Sequence, residues 1–180
     1  MKLPSSKDPA VQELLDREAI RDCLYRYCRG IDRCDETTLL SAYWPGAIDD
    51  HVWWKGPVEE FTKFALPFLR GRDQTSHSIT NAIIRIDGST ARVESHYHAY
   101  ERVVKKDGGR NDITVTGRYI DRFERRDGEW RIAERFVTND WFRVWPDSAD
   151  WARGLFGNPI RPGKREAEDP SHAFFGDSVT

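Results

Sequence analysis

"TARVESHYHAYERVV", residues 90–104, alternates polar and apolar positions over fifteen residues with neither glycine nor proline to interrupt it. Alternation on this scale marks a β-strand with one packed and one wet face. At about 3.3 Å per residue such a strand runs roughly 50 Å, where five or six residues is usual. Twist accumulates along strands, so a sheet built from ones this long cannot lie flat and must curl around something.

The same period of two extends on both sides. Thr75–Ile86, Thr90–Lys105, Asp112–Arg125 and Glu129–Val144 read as four long strands, joined by "DGS", "KKDGG" and "RRDGE", each with the glycine that a tight hairpin turn requires. Upstream the period changes to three and four. Val11, Leu14, Leu15, Ala19, Ile20, Cys23, Leu24 and Tyr27 form one apolar stripe, predicting a helix over Pro9–Arg29 with Asp8 as N-cap, Pro9 in the first turn and Gly30 as its stop. A short helix is expected at Asp35–Ala42, a strand broken by turns in "YWPGAIDDHVWWKGP", and a third amphipathic helix at Pro57–Leu69. Helices followed by an antiparallel meander give an α+β fold, a half-barrel closed by helices with a cavity at its wide end.

A length of 180 residues fits one core, and no internal repeat or linker divides it. The expected organisation is a folded domain over 1–145 and an irregular tail over 146–180. This tail is rich in Gly and Pro, yet it carries Trp151, Leu155, Phe156, Phe174 and Phe175, so it is expected to dock on the barrel mouth or on a neighbouring subunit. The net charge of −2, with arginines interleaved among acids, provides no field for a phosphate backbone and argues against nucleic-acid partners. No apolar run is long enough to span a bilayer and the N-terminal stretch lacks a signal core, so a soluble cytoplasmic protein with no membrane partner is expected. Cys23, Cys28 and Cys34 match neither a CxxC motif nor a disulfide framework and read as buried reduced thiols.

Several residues could carry chemistry. Asp32 follows the expected helix stop, and Tyr27 lies five residues earlier on the last helical turn. His77 opens the first long strand in "QTSHSITN", among small hydroxyl residues that leave an imidazole accessible. A histidine oriented by a carboxylate is a natural general base near neutral pH, since the carboxylate fixes the tautomer and stabilises the imidazolium. His96 and His98 share a strand face with Glu94 and Tyr100. The H-x-H pair could bind a metal with His51, Asp49 or Asp50, but cavity wall or plain surface is the simpler reading, with His98 as a possible helper. Arg135 alternates with Trp130, Ile132 and Phe136 and so should point away from their packed face, either into a surface pair with Glu134 or Asp121, or as a fixed cation aimed at a leaving group. Asn81, Trp53 and Tyr119 join His98 as candidate substrate-binding residues.

The helix "REAIRDCLYRYCRGIDRCD", the strand start "TSHSITN" and the segment "GRYIDRFERRDGEWRIAER" resemble the SnoaL-like branch of the nuclear transport factor 2 superfold over roughly Val11–Trp145. The resemblance implies a cone-shaped α+β barrel. Members with lyase activity include scytalone dehydratase, hexachlorocyclohexane dehydrochlorinase and bile acid 7α-dehydratase, for which the implied machinery is an Asp–His pair without metal or organic cofactor. Asp32 in "GIDR" and His77 in "SHSITN" match that pair, and Tyr27 and Arg135 match the tyrosine and last-strand arginine of the bile acid enzyme. The resemblance also covers lyases that release formaldehyde from lignin-derived diaryl propanediols, and non-catalytic small subunits of ring-hydroxylating dioxygenases. The expectation is a cofactor-independent, dehydratase-like lyase of aromatic catabolism. Its substrate is a hydrophobic ring-containing small molecule, and the protein works as a homo-oligomer, a trimer or a dimer.

Overall fold

Asp8 accepts a hydrogen bond from the Ala10 backbone N–H at 2.9 Å, and Pro9 fills the first turn, so helix α1 (Pro9–Arg33) starts as its sequence predicts. Its end differs. The helix runs past Gly30 to Arg33 and stops at Cys34, whose φ is 53°. Gly30 serves a crossing instead: a Cβ there would lie 2.5 Å from the Leu39 nitrogen in helix α2 (Glu36–Ser41). The computed structural model describes residues 5–147 and 150–175. Of the expected division into 1–145 and 146–180, positions 1–4, 148–149 and 176–180 lie outside the described residues.

After α2 come strands β1 (Tyr43–His51) and β2 (Trp54–Pro57), helix α3 (Val58–Arg70), and the long strands β3 (Arg72–Asp87), β4 (Thr90–Val104), β5 (Arg110–Arg126) and β6 (Glu129–Pro146). They form one curved, open sheet in the order β2-β1-β6-β5-β4-β3, antiparallel except where β1 runs beside β6. The α+β class is as expected, and the sheet wraps the helices without closing into a complete barrel. Ile20, Leu24, Tyr27 and Ile31 of α1 pack against Phe123, Ile132 and Tyr119 of the sheet. Asp16, buried on the same helix, accepts from Trp130 Nε1 at 2.8 Å and from Arg125 at 3.0 Å, which pins the helix across β5 and β6. The three cysteines are free and buried; burial pushes the Cys23 thiol up to about 11 and that of Cys28 to about 12. No helix among the described residues is long and apolar enough to cross a membrane.

Of the register shifts in β3 and β6, two decide which side chains face inward in the middle of these strands. On β3, Ile79 pairs with Tyr97 and Asn81 with His96, so Thr80 is an extra residue. Above it the even positions Ile84 and Ile86 pack on the core; below it the odd positions Ile79, His77 and Thr75 turn inward. On β6, Ile132 pairs with Phe123 and Glu134 with Arg122, which makes Ala133 the extra residue. Trp130 and Ile132 face the core, and beyond the bulge so do Arg135 and Val137.

This overturns the alternation reading of Arg135. Phe136, expected on the packed face, is half-exposed, whereas Arg135 is 0% exposed. Its Nε and a terminal nitrogen donate to the two carboxylate oxygens of Asp121 at 2.8 and 2.7 Å, and Asp121 is fully buried too. The guanidinium carbon lies 4.1 Å from the Tyr27 ring centre and 4.0 Å from that of Tyr119. Burial raises the Asp121 carboxyl and the Arg135 charge opposes it.

The chain beyond β6 reaches back to the end of α1. Arg165 donates to the Asp32 carbonyl and, at 2.7 Å, to Thr75 Oγ1. Asp169, buried, pairs with Arg33 at 3.3 Å just ahead of helix α4 (Pro170–Phe175). Burial pushes the Asp169 carboxyl up, but hydrogen bonds from the Ser171 hydroxyl and from the Lys164 and Ser171 backbone N–H groups, with the Arg33 charge, outweigh it and hold the group at about 2.

Two stability measurements test these features. Arg135→Met leaves the Asp121 carboxylate buried without its cation and should cost about 3–5 kcal/mol in urea unfolding, with most of that loss recovered when Asp121→Asn is added. Asp169→Asn should destabilise by about 2 kcal/mol at neutral pH. Because the folded carboxyl is held below its ordinary value of 3.8, that contribution is complete above 3.8 and disappears as pH falls through about 2, so the two unfolding curves should converge on acidification.

Candidate active site

The sheet curves around a cavity whose floor is α1 and whose roof is α3. It measures about 170 Å³ and is lined by Tyr27 and Ile31 of α1, Phe61, Ala65, Phe68 and Leu69 of α3, and inward residues of β1 and β3–β6. Val52 and Trp53, in the turn after β1, sit at the mouth with more than half their surface exposed.

His77 enters this cavity from β3 because the Thr80 bulge turns it inward. The Asp32 carboxylate holds it twice: one oxygen accepts from the His77 backbone N–H at 2.7 Å and the other from Nδ1 at 2.7 Å. With Nδ1–H committed to the carboxylate, the lone pair is on Nε2, and among the described residues Nε2 has no hydrogen-bond partner. Asp32 is fixed in turn, since it lies in the last turn of α1 and its carbonyl takes hydrogen bonds from Thr75 Oγ1 at 3.4 Å and from Arg165. The two elements that carry the pair are thus joined by backbone as well as by side chains.

Tyr27 also lines the cavity. Burial raises its hydroxyl well above the ordinary tyrosine value while the Arg135 charge opposes the rise, so the phenol remains a proton-bearing donor. Tyr119, a candidate substrate-binding residue, lines the cavity and stacks on Tyr97 at 4.5 Å between ring centres. Trp53 is a rim residue. Arg135, expected to face a leaving group, lies beneath the Tyr27 and Tyr119 rings and is not among the residues that line the cavity. It meets a ligand only through those rings.

Two further expectations are corrected. His98 and Asn81 are exposed on the outer face of the sheet, away from the cavity. On β4 the inward set is Val93, Ser95, Tyr97 and Ala99, so the positions between them point outward. His96 is exposed on the same outer face, and the H-x-H pair does not converge with the inward-facing His51.

The cavity also holds groups that the sequence pattern does not place there. Tyr97 donates to Asn139 Oδ1 at 2.5 Å, placing an amide and a phenol on the wall. His51 lines the cavity from the end of β1, and its Nδ1 lies 2.5 Å from Asp49 Oδ1. The two atoms are too poorly aligned for a hydrogen bond, and neither has another hydrogen-bond partner among the described residues. Asp49 is fully buried and accepts from the Tyr43 hydroxyl at 2.6 Å. The signal was present in "DDH": an acid two residues before a histidine on a strand shares its face.

The SnoaL-like domain family matches residues 12–136. A search of curated proteins finds no match. Among solved structures, the hexachlorocyclohexane dehydrochlorinase LinA-type3 from Novosphingobium barchaimii superposes with a TM-score of 0.65 at 19% identity, covering 83% of this chain and 97% of that one. A protein from Novosphingobium aromaticivorans, provisionally named a scytalone dehydratase, gives 0.66 at 20% identity over 84% and 97% of the two chains. The Kfla4162 protein from Kribbella flavida gives 0.66 at 19% over 73% and 95%. At these identities the likeness is one of fold. With the match over residues 12–136 added to the curved sheet, the helices inside it and the cavity between them, the chain belongs to the SnoaL-like domain family.

Proposed function

We propose that this protein is a lyase that removes a proton from carbon and expels a group from the neighbouring atom, with His77 as general base. The observation that carries the reading is the double hold of Asp32 on His77, which leaves Nε2 without a hydrogen-bond partner among the described residues in a cavity walled mainly by apolar and aromatic side chains. Nε2 takes the proton, Asp32 stabilises the resulting imidazolium, and the C–H electron pair becomes the new double bond as the leaving group departs with its own pair. The Tyr27 phenol donates to a carbonyl or departing oxygen. Arg135 is a positioning residue: it fixes the rings of Tyr27 and Tyr119 and touches no substrate.

The substrate is a hydrophobic ring compound. Cavities near 150 Å³ accept one benzene ring, so about 170 Å³ suits a single six-membered ring, with any larger portion leaving over Val52 and Trp53. The names of the dehydrochlorinase and the dehydratase among the structural neighbours agree with elimination as the reaction class.

Turnover of hexachlorocyclohexane and of a β-hydroxycyclohexanone, followed as chloride release and as enone absorbance, tests the reading. His77→Ala and Asp32→Asn should each lower kcat by about 100-fold or more with the far-ultraviolet circular dichroism unchanged. Wild-type rates in both variants would remove His77 from the chemistry.

A further inference from the structure

The cavity contains a second histidine–carboxylate pair, set across it from the first. In the sheet order β2-β1-β6-β5-β4-β3, three strands separate β1, which carries His51, from β3, which carries His77, yet both imidazoles line the same cavity because the sheet curves. The His51 ring is tightly held. It stacks on Phe61 of α3 with ring centres 4.4 Å apart and planes 15° from parallel, while Nδ1 is 2.5 Å from Asp49 Oδ1. Among the described residues Nε2 has no hydrogen-bond partner, so it is the atom left to meet a ligand.

The surroundings of the two pairs differ in charge. Asp32 has the Arg165 cation, brought by the tail, at its backbone carbonyl. Around His51 the fully buried carboxylate is Asp49 on β1, and Asp121 on β5 is buried nearby; Arg135 on β6 is the buried cation that faces them. Tyr43, Tyr27 and Tyr119 are held in their neutral form by burial, Glu101, which lines the same cavity, is paired with Arg72 at 3.0 Å, and Phe61 is what α3 contributes. Two buried carboxyl groups against one guanidinium make this the acidic side of the cavity, and the His51 imidazole is the group that reaches from it to a ligand.

We propose that His51, oriented by Asp49, is the proton donor of this cavity, and that the group expelled is therefore hydroxyl or alkoxyl, which must be protonated to leave, rather than halide. The proposal rests on the elimination reading above and narrows its substrate class to alcohols or ethers. His77 Nε2 takes the carbon-bound proton, the C–H pair forms the C=C bond, and the C–O bond breaks with both electrons on oxygen. His51 Nε2 gives its proton to that oxygen, and water or an alcohol departs. His77 then loses a proton to solvent at the open mouth, and His51 regains one, which closes the cycle.

The test compares leaving groups and reads the histidine directly. With β-hydroxycyclohexanone and hexachlorocyclohexane as probes, His51→Gln should lower dehydration by about 100-fold and shift the ratio of the two rates against dehydration by about tenfold or more. Asp49→Asn should shift that ratio in the same direction, and His77→Ala should depress both reactions together. Equal losses on the two probes in His51→Gln, or dehydration at the wild-type rate, would overturn the donor role while leaving the His77 reading intact; wild-type rates in His77→Ala would instead sink the elimination reading. Nitrogen-15 NMR of the wild-type imidazoles at neutral pH needs no substrate. The His51 signals should move in Asp49→Asn while those of His77 stay in place, and unchanged His51 signals would overturn its orientation by Asp49.

Discussion

Everything in this molecule is arranged around a charge that never sees water. Arg135 and Asp121 meet on the inner face of the sheet, under the cavity, with the guanidinium beneath two tyrosine rings. Such a pair adds little net stability, because desolvating two ions offsets most of their attraction. It does impose a strict geometry. The paired oxygens and nitrogens set how β5 and β6 lie against each other, and the aromatic faces over the cation have one good place to be. Tyr27 and Tyr119 thus form a stiff floor, so any ligand resting on them meets a surface that has no need to reorganise.

The side of the cavity that holds His77 is assembled from parts distant in sequence. Asp32 arrives on the last turn of α1, His77 on a strand 45 residues later, and Arg165 from beyond the sheet, 133 residues after Asp32. Each is useful only where the others stand. The helix end presents the carboxylate, the bulge turns the imidazole towards it, and the tail arginine holds the backbone between them. The short distances around Asp32 are therefore a property of the whole fold rather than of a local motif.

This division explains what could be read in advance. The N-cap at Asp8, the apolar stripe of α1, the hairpin glycines and the long strands depend on neighbours a few residues away, and they were legible. Asp32 and His77 could be picked out as residue types and through family resemblance, but their contact spans elements and was not. Burial of Arg135 was hidden for a sharper reason: alternation assigns faces by counting, and the extra residue at Ala133 upsets the count. His98 was misplaced because nothing in a strand's alternation says which of its faces will be the concave one, and Asn81, which counts onto the face of His77, is turned outward by the extra residue at Thr80. His51 and Asp49 looked like loose metal ligands, since Phe61, which makes a site of that histidine, comes from α3.

The bulges also bear on how such a protein can change over time. Neighbours with a fifth of their residues in common keep the same architecture, so the identity of most side chains is negotiable. The number of residues between a hairpin and a bulge is not, because one insertion or deletion there exchanges the inner and outer sets of an entire strand segment. Evolution and protein engineers alike are thus left with two separate freedoms: composition can drift within the strands, while length can drift only in the turns and the tail.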